Sequence, residues 1–222
     1  MPLRPRSTRS LLALIVLSLG LIATEAGAAT VSHTAVFPLG PYLNGGSHTF
    51  PPAAFPRFNL AGECLESVCI RLDGGTLCDI GFENYQLFPV RVTVTALATI
   101  TLQRPDTSPI LMVQPTVVVS DSLPVYDGVL DYAGPSGRSY FSLPGADADS
   151  TCLTTTGDLA LFAGAGTINL PGFATDGSFQ VGASSWAIGP RPYANITVTY
   201  HYRNCIVPTA PTTWSRIKGL VH

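Results

Sequence analysis

VRVTVTALATITLQ, residues 90–103, alternates without a break. Its even positions are Val90, Val92, Val94, Ala96, Ala98, Ile100 and Leu102. Its odd positions are Arg91, Thr93, Thr95, Leu97, Thr99, Thr101 and Gln103. An apolar face against a nearly polar one at period two predicts a strand with one side on a core and the other in water. A second such run lies near the end, where Ala194, Ile196, Val198, Tyr200 and Tyr202 alternate with Asn195, Thr197, Thr199, His201 and Arg203.

Working outward, further extended segments are expected at Val31–Phe37, Thr49–Phe58, Glu66–Leu72, Thr76–Phe82 and Ile110–Val119, the last with an edge or bulge at Pro115. Val129–Tyr132, Arg138–Leu143, Leu159–Leu170 and Gly177–Ile188 follow, separated by Gly, Pro and Asp turn signals. No window before the tail shows a helical period. Strands at this spacing without intervening helices predict an all-β fold, an antiparallel β-sandwich or jelly-roll-like double sheet.

The ends differ from this body. Arg4, Arg6 and Arg9 precede the apolar run Leu11–Ala23, and Ala26-Gly27-Ala28-Ala29 follows. That order predicts a secretory signal peptide over residues 1–28, cleaved after Ala28 or, as second choice, Ala29. The run is too short for a membrane span, and no later stretch is long and apolar enough to be one. The domain is placed at 29–206. Residues 207–222 read as a Pro-rich linker (Pro208, Pro211) and a short amphipathic tail, with Trp214, Ile217, Leu220 and Val221 opposite Arg216 and Lys218. Such a tail is either a sorting or docking peptide or a frayed terminus.

Composition narrows the chemistry. The chain has 12 basic and 14 acidic residues; without Arg4, Arg6, Arg9 and Glu25 the balance is 9 to 13, a net charge of −4. With Lys218 the only lysine, nucleic acid and anionic membranes are poor partners. Five cysteines, Cys64, Cys69, Cys78, Cys152 and Cys205, all fall after the leader. In an oxidising compartment they should pair, leaving one over; their spacing, with scattered His33, His48 and His201, does not suit zinc.

The disulfide expectation follows from a turn. Asp73-Gly74 reads as a two-residue hairpin loop between Glu66–Leu72 and Gly75–Phe82. That register sets Cys69 opposite Cys78 in a non-hydrogen-bonded pair, where a bridge is feasible. The expected bridges are Cys69–Cys78 and Cys152–Cys205, with Cys64 free.

Catalytic motifs are not found. Ser136, in Gly134-Pro135-Ser136-Gly137, lacks the spaced glycine of a nucleophile elbow and reads as a turn residue. Gly164-Ala165-Gly166 sits in a strand-like run with no following helix to hold a phosphate, so its small residues read as sheet packing. Asp127 with Asp131, and Asp147 with Asp149, form two acidic loops that are candidates for Ca²⁺. Neither has an EF-hand ligand ladder, and Asx turns are the preferred reading. The same acid pairs could serve as glycosidase carboxylates, but sequence spacing does not fix their separation. Asn195-Ile196-Thr197 fits a glycosylation sequon inside a strand.

Several segments together resemble the choice-of-anchor E domain of secreted and surface bacterial proteins. They are Phe58-Asn59, Glu66–Gly74, Glu83-Asn84, Tyr126–Gly137 (YDGVLDYAGPSG), Leu161–Ile168 and Ile196–Tyr202, in the family's order. The resemblance implies a domain of unknown activity ahead of a C-terminal anchoring signal, often of the PEP-CTERM kind, with no catalytic residues to carry over. Val207-Pro208 and Trp214 echo an anchor, but no apolar span or arginine cluster follows, so free secretion is the alternative to anchoring.

The expected function is therefore a secreted or surface-associated, non-enzymatic structural or adhesive module, without a resident cofactor. Its binding surface is expected on loops at the sheet ends, with cell-surface or extracellular-matrix components, or sorting machinery at the tail, as partners. The alternative is a carbohydrate-binding module with Tyr193, Tyr200, Tyr202 and Trp186 as an aromatic platform, although Tyr200 and Tyr202 share an apolar face and belong more naturally in the core. A hydrolase with an unrecognised site is third.

Overall fold

The computed structural model describes residues 28–182 and 184–205, so the expected tail and all but the last residue of the expected leader lie outside the described residues. The elements are β1 (Ala29–Phe37), β2 (Ser47–Pro56), β3 (Glu63–Asn84), β4 (Val90–Gln103), β5 (Pro109–Val113), β6 (Thr116–Leu123), β7 (Gly137–Leu153), α1 (Thr156–Phe162), β8 (Thr167–Asp176), β9 (Phe179–Val181) and β10 (Ser184–Asn204). They form a β-sandwich of two antiparallel sheets. One runs β1-β10-β3-β7; the other runs β2-β8-β4-β5, with β6 and β9 also paired to β4.

The deciding run is β4. Val92, Val94, Ala96, Ala98, Ile100 and Leu102 are all fully buried, as alternation requires. Burial of each larger aliphatic side chain contributes about 1.5–3 kcal/mol. Two core clusters follow one another along the sandwich. The larger holds Phe37, Phe50, Phe55, Leu72, Ile100 and Tyr200. The smaller holds Cys78, Ile80, Phe82, Val94, Leu123 and Ile188.

The expected hairpin at Asp73-Gly74 does not form: β3 is one strand of 22 residues, paired throughout with β10 and along most of its length with β7. Neither Gly74 nor Gly75 has a positive φ. Both instead admit close neighbours. A Cβ on Gly74 would collide with Val113 in the core, and one on Gly75 with the ring of Tyr193. Cys69 and Cys78 therefore lie nine residues apart, about 30 Å at ~3.3 Å per residue, on opposite faces of one strand.

The disulfide expectations fail with the hairpin. Cys69 pairs across the strands with Cys152, Cα–Cα 4.0 Å, and Cys64 with Cys205, Cα–Cα 5.2 Å, leaving Cys78 free and buried. Cys205 follows the last residue of β10 and donates its N–H to the Gly62 carbonyl at 2.9 Å, which brings it beside Cys64.

Other boundaries also move. Ile110–Val119 is split at Gln114-Pro115 into β5 and β6, both on β4. Val129–Tyr132 is loop. Leu159–Leu170 begins as a helix, because Thr155 caps it by accepting from the Asp158 N–H, and Arg104 bridges to Asp158 at 2.9 Å. Pro190 and Pro192 occupy the otherwise interior strand β10 because β1 ends at Phe37, opposite Ala194. Beyond that point their carbonyls accept from Leu43 and Gly40 of the β1–β2 loop, and no strand there requires the missing N–H groups.

Candidate binding cleft on the outer face of the first sheet

From Val68 to Phe82, even residues of β3 face the core and odd ones face outward. Gly81 lies beside Ala187 of β10 and Ser139 of β7, and Asp79 lies beside Gly189. The glycines leave the sheet bare, and rings from distant loops lie on it. Tyr132 of the β6–β7 loop covers Gly81, where a Cβ would stand 3.2 Å from the Tyr132 Cγ. Tyr42 of the β1–β2 loop covers Gly189, where a Cβ would collide with the Tyr42 Cδ1 at 2.5 Å. Between these rings opens a cleft of about 350 Å³, lined also by Asn44, Asp79, Ser139 and Phe141.

Phe141 reaches the rim through a bulge. Cys78 pairs with Leu143 but Ile80 with Tyr140, so Phe141 and Ser142 together oppose Asp79. Ser142 takes φ 53° and Tyr132 φ 54°, a region that non-glycine residues enter at a cost of about 1–3 kcal/mol. Asp79 anchors the bulge: its Oδ1 accepts the Ser142 N–H at 2.7 Å and its Oδ2 accepts the Tyr42 hydroxyl at 2.5 Å. Those two donors, Tyr42 first, hold the Asp79 carboxyl below its ordinary range, and the same bond pushes the Tyr42 hydroxyl up. Arg191 lies 5.2 Å from the Tyr42 ring centroid and donates to the Gly40 carbonyl, fixing the loop from the other side. Phe141 is left 73% exposed.

The expected aromatic platform does not assemble. Tyr200 is buried between the sheets and donates its hydroxyl to the Pro56 carbonyl at 2.7 Å. Tyr202 lies against Phe58. Tyr193 covers Gly75 on the outer face, and Trp186 lines not this cleft but an adjoining one, with Asp176 and Ser178, that shares Asn44 with it. Tyr42, Tyr132 and Phe141 were not candidates in the sequence, since each meets its neighbours only across strands. The legible trace is the set of glycines at odd positions of one face, Gly75, Gly81 and Gly189.

The acidic candidates separate. Asp127 and Asp131 do lie in a loop, where each carboxylate accepts the N–H two residues on, that of Val129 and that of Ala133. Asp147 and Asp149 form no loop: they are strand residues of β7, opposite Gly74 and Leu72, and Asp147 also accepts the Gln114 N–H. Among the described residues no three His, Cys, Asp or Glu side chains gather into a cation site. Ser136 is fully buried, donating to Glu83 Oε1 at 2.5 Å and accepting from the Asp127 N–H. Asn84 beside it ties the neighbouring loops through Phe88, Pro124 and Gln86. The Glu-Asn pair and the Tyr126–Gly137 segment thus meet as internal supports of one end of the sandwich. Gly164 and Gly166 correct the sheet-packing reading: they turn the chain from α1 into β8 with positive φ and nothing near a Cβ. Asn195 stands in β10 between Val36 and Asp73.

No family model and no curated protein matches this chain. Among solved structures it is similar to a chain of the infectious bursal disease virus Gx strain, at 12% identity and a TM-score of 0.23, covering 89% of this chain and 42% of that one. A crystal structure of the same virus's particle gives 12% identity and a TM-score of 0.22, over 87% and 44% of the two chains. The chain spans less than half the length of those viral chains.

Proposed function

We infer that this chain is a secreted or surface-associated, non-enzymatic β-sandwich that serves as an adhesive or structural module and recognises its partner at the outer-face cleft. The observation that carries this reading is the cleft itself: exposed rings held over bare sheet by a bulge and by positive-φ residues, a use of strain that belongs to functional sites. The signal-like leader and the two disulfides fit an oxidising, extracytoplasmic address. The resemblance to the choice-of-anchor E domain agrees with that address.

Expression of the full chain in a Sec-competent bacterium tests the reading. The mature protein is expected outside the cytoplasm, beginning at Ala29 or Thr30, and retained on cell envelopes. Phe141→Ala should release it without changing its melting temperature. Uncleaved cytoplasmic protein, or identical retention of the variant, would refute the reading.

A further inference from the structure

We propose that the cleft between Tyr42, Tyr132 and Phe141 binds a neutral pyranose ring at the end of, or within, a glycan. This rests on the reading of the cleft as the recognition surface and names its ligand. The argument begins with two unlike kinds of wall. Phe141 and Tyr42 offer exposed ring surface, and aromatic faces carry negative potential that attracts polarised C–H groups. Asp79, Asn44 and Ser139 line the same space, the Ser139 hydroxyl donating to the Tyr132 carbonyl at 2.9 Å. An aromatic cleft with a few placed polar groups is the usual pattern of a small-ligand site, and about 350 Å³ is near the lower end of the ~300–1,000 Å³ range such sites span.

A pyranose has this duality: one face of C–H groups and a rim of hydroxyls. The C–H face would lie on Phe141 while rim hydroxyls donate to Asp79. Asp79 already takes one donor on each oxygen, and each carboxylate oxygen accepts a second. A wholly apolar peptide anchor would strip water from that carboxylate without replacing its hydrogen bonds, which is costly. An acidic sugar would set like charges together. The ionised state of Asp79, favoured by Tyr42 and the Ser142 N–H, thus selects neutral glycans over uronates and sulfated chains. Gly81 and Gly189 matter equally, because a Cβ at either would push away the Tyr132 or Tyr42 ring that walls the cleft.

The test is an NMR titration of the exported, disulfide-bonded protein with neutral methyl glycosides and with neutral and acidic oligosaccharides. Saturable shifts of the Gly81, Ser142 and Gly189 amides are expected with a neutral glycan, at about millimolar affinity or tighter. Phe141→Ala should weaken that binding about tenfold or more, while Phe141→Tyr restores it. Asp79→Asn keeps an acceptor but removes the charge, and should narrow the preference for neutral over acidic chains. Tyr193→Ala and Trp186→Ala, outside the cleft, should leave affinity unchanged. No saturable shift with any neutral glycan, equal binding of acidic chains by the unaltered protein, or unchanged binding by Phe141→Ala would each overturn the proposal. If Phe141→Ala still releases the protein from cell envelopes while no glycan binds, the recognition reading stands and the sugar assignment falls.

Discussion

Tyr200 shows how one buried hydroxyl can report on folding. Its ring lies in the larger core, its hydroxyl donates to the Pro56 carbonyl, and burial pushes its pKa up to about 12, with Arg57 pulling the other way. An unfolded tyrosine titrates near ~10. The folded chain therefore keeps a proton that the unfolded chain has lost. Stability linked to Tyr200 is fully present below pH ~10 and drains away as pH rises to about 12, at up to about 1.4 kcal/mol per unit. Tyr200→Phe should cost about 1 kcal/mol at neutral pH, because the Pro56 carbonyl loses its donor. The variant should also lose this share of the alkaline decline. Urea unfolding of both proteins at about pH 7 and about pH 11 checks both parts, the pair of values bracketing the free phenol. An unchanged slope in the variant would mean that other groups govern the alkaline limit.

At the level of the element, β3 is the instructive case. Asp73-Gly74-Gly75 carries the chemistry of a tight turn, yet the chain runs straight through it. Flanking strands decide the outcome: β10 pairs with β3 from Glu63 to Asn84, and β7 with it from Val68 to Glu83. A bend there would leave two long edges unpaired. The glycines serve packing, since Gly74 sits against Val113 with the Ile100 Cδ1 3.4 Å from where a Cβ would be. Gly74→Ala should therefore destabilise the protein by about 1–3 kcal/mol through overcrowding, although alanine normally favours extended backbone over glycine. Denaturant midpoints measure this, and a gain in stability would contradict the packing role. Helix α1 teaches the converse: Thr156–Phe162, which includes the first four residues of the strand expected at Leu159–Leu170, is helical because Thr155 caps it and Arg104 holds Asp158.

For the whole molecule, the two bridges tie the same end of the first sheet across sequence separations of 83 and 141 residues. Loops this long lose much entropy on closure, so removing Cys69–Cys152 by the double change to alanine should cost roughly 2–5 kcal/mol. Non-reducing peptide maps should recover Cys64 with Cys205 and Cys69 with Cys152. Cys78, buried and with its thiol pushed up by that burial, should react with alkylating reagents only after unfolding. Recovery of Cys78 in any bridge would show that the strand order around β3 is wrong.

Sequence alone determined the all-β class and the core-facing positions of β4 and of the second half of β10. A period-two pattern records directly which side chains leave water, and no distant residue is needed to read it. Glu83-Asn84 and the Tyr126–Gly137 segment stand out in the sequence only as points of family resemblance, and their contact at one end of the sandwich is not legible there. Tertiary structure alone decided the continuity of β3, the cysteine pairing and the cleft. Each depends on which strand lies beside which. Cys69 meets Cys152 only through the β3–β7 register, and Tyr42, Tyr132 and Phe141 converge only because two loops and a bulge reach the same bare glycines. Local propensity at Asp73-Gly74 favoured a turn, and pairing on both sides of the strand overrode it.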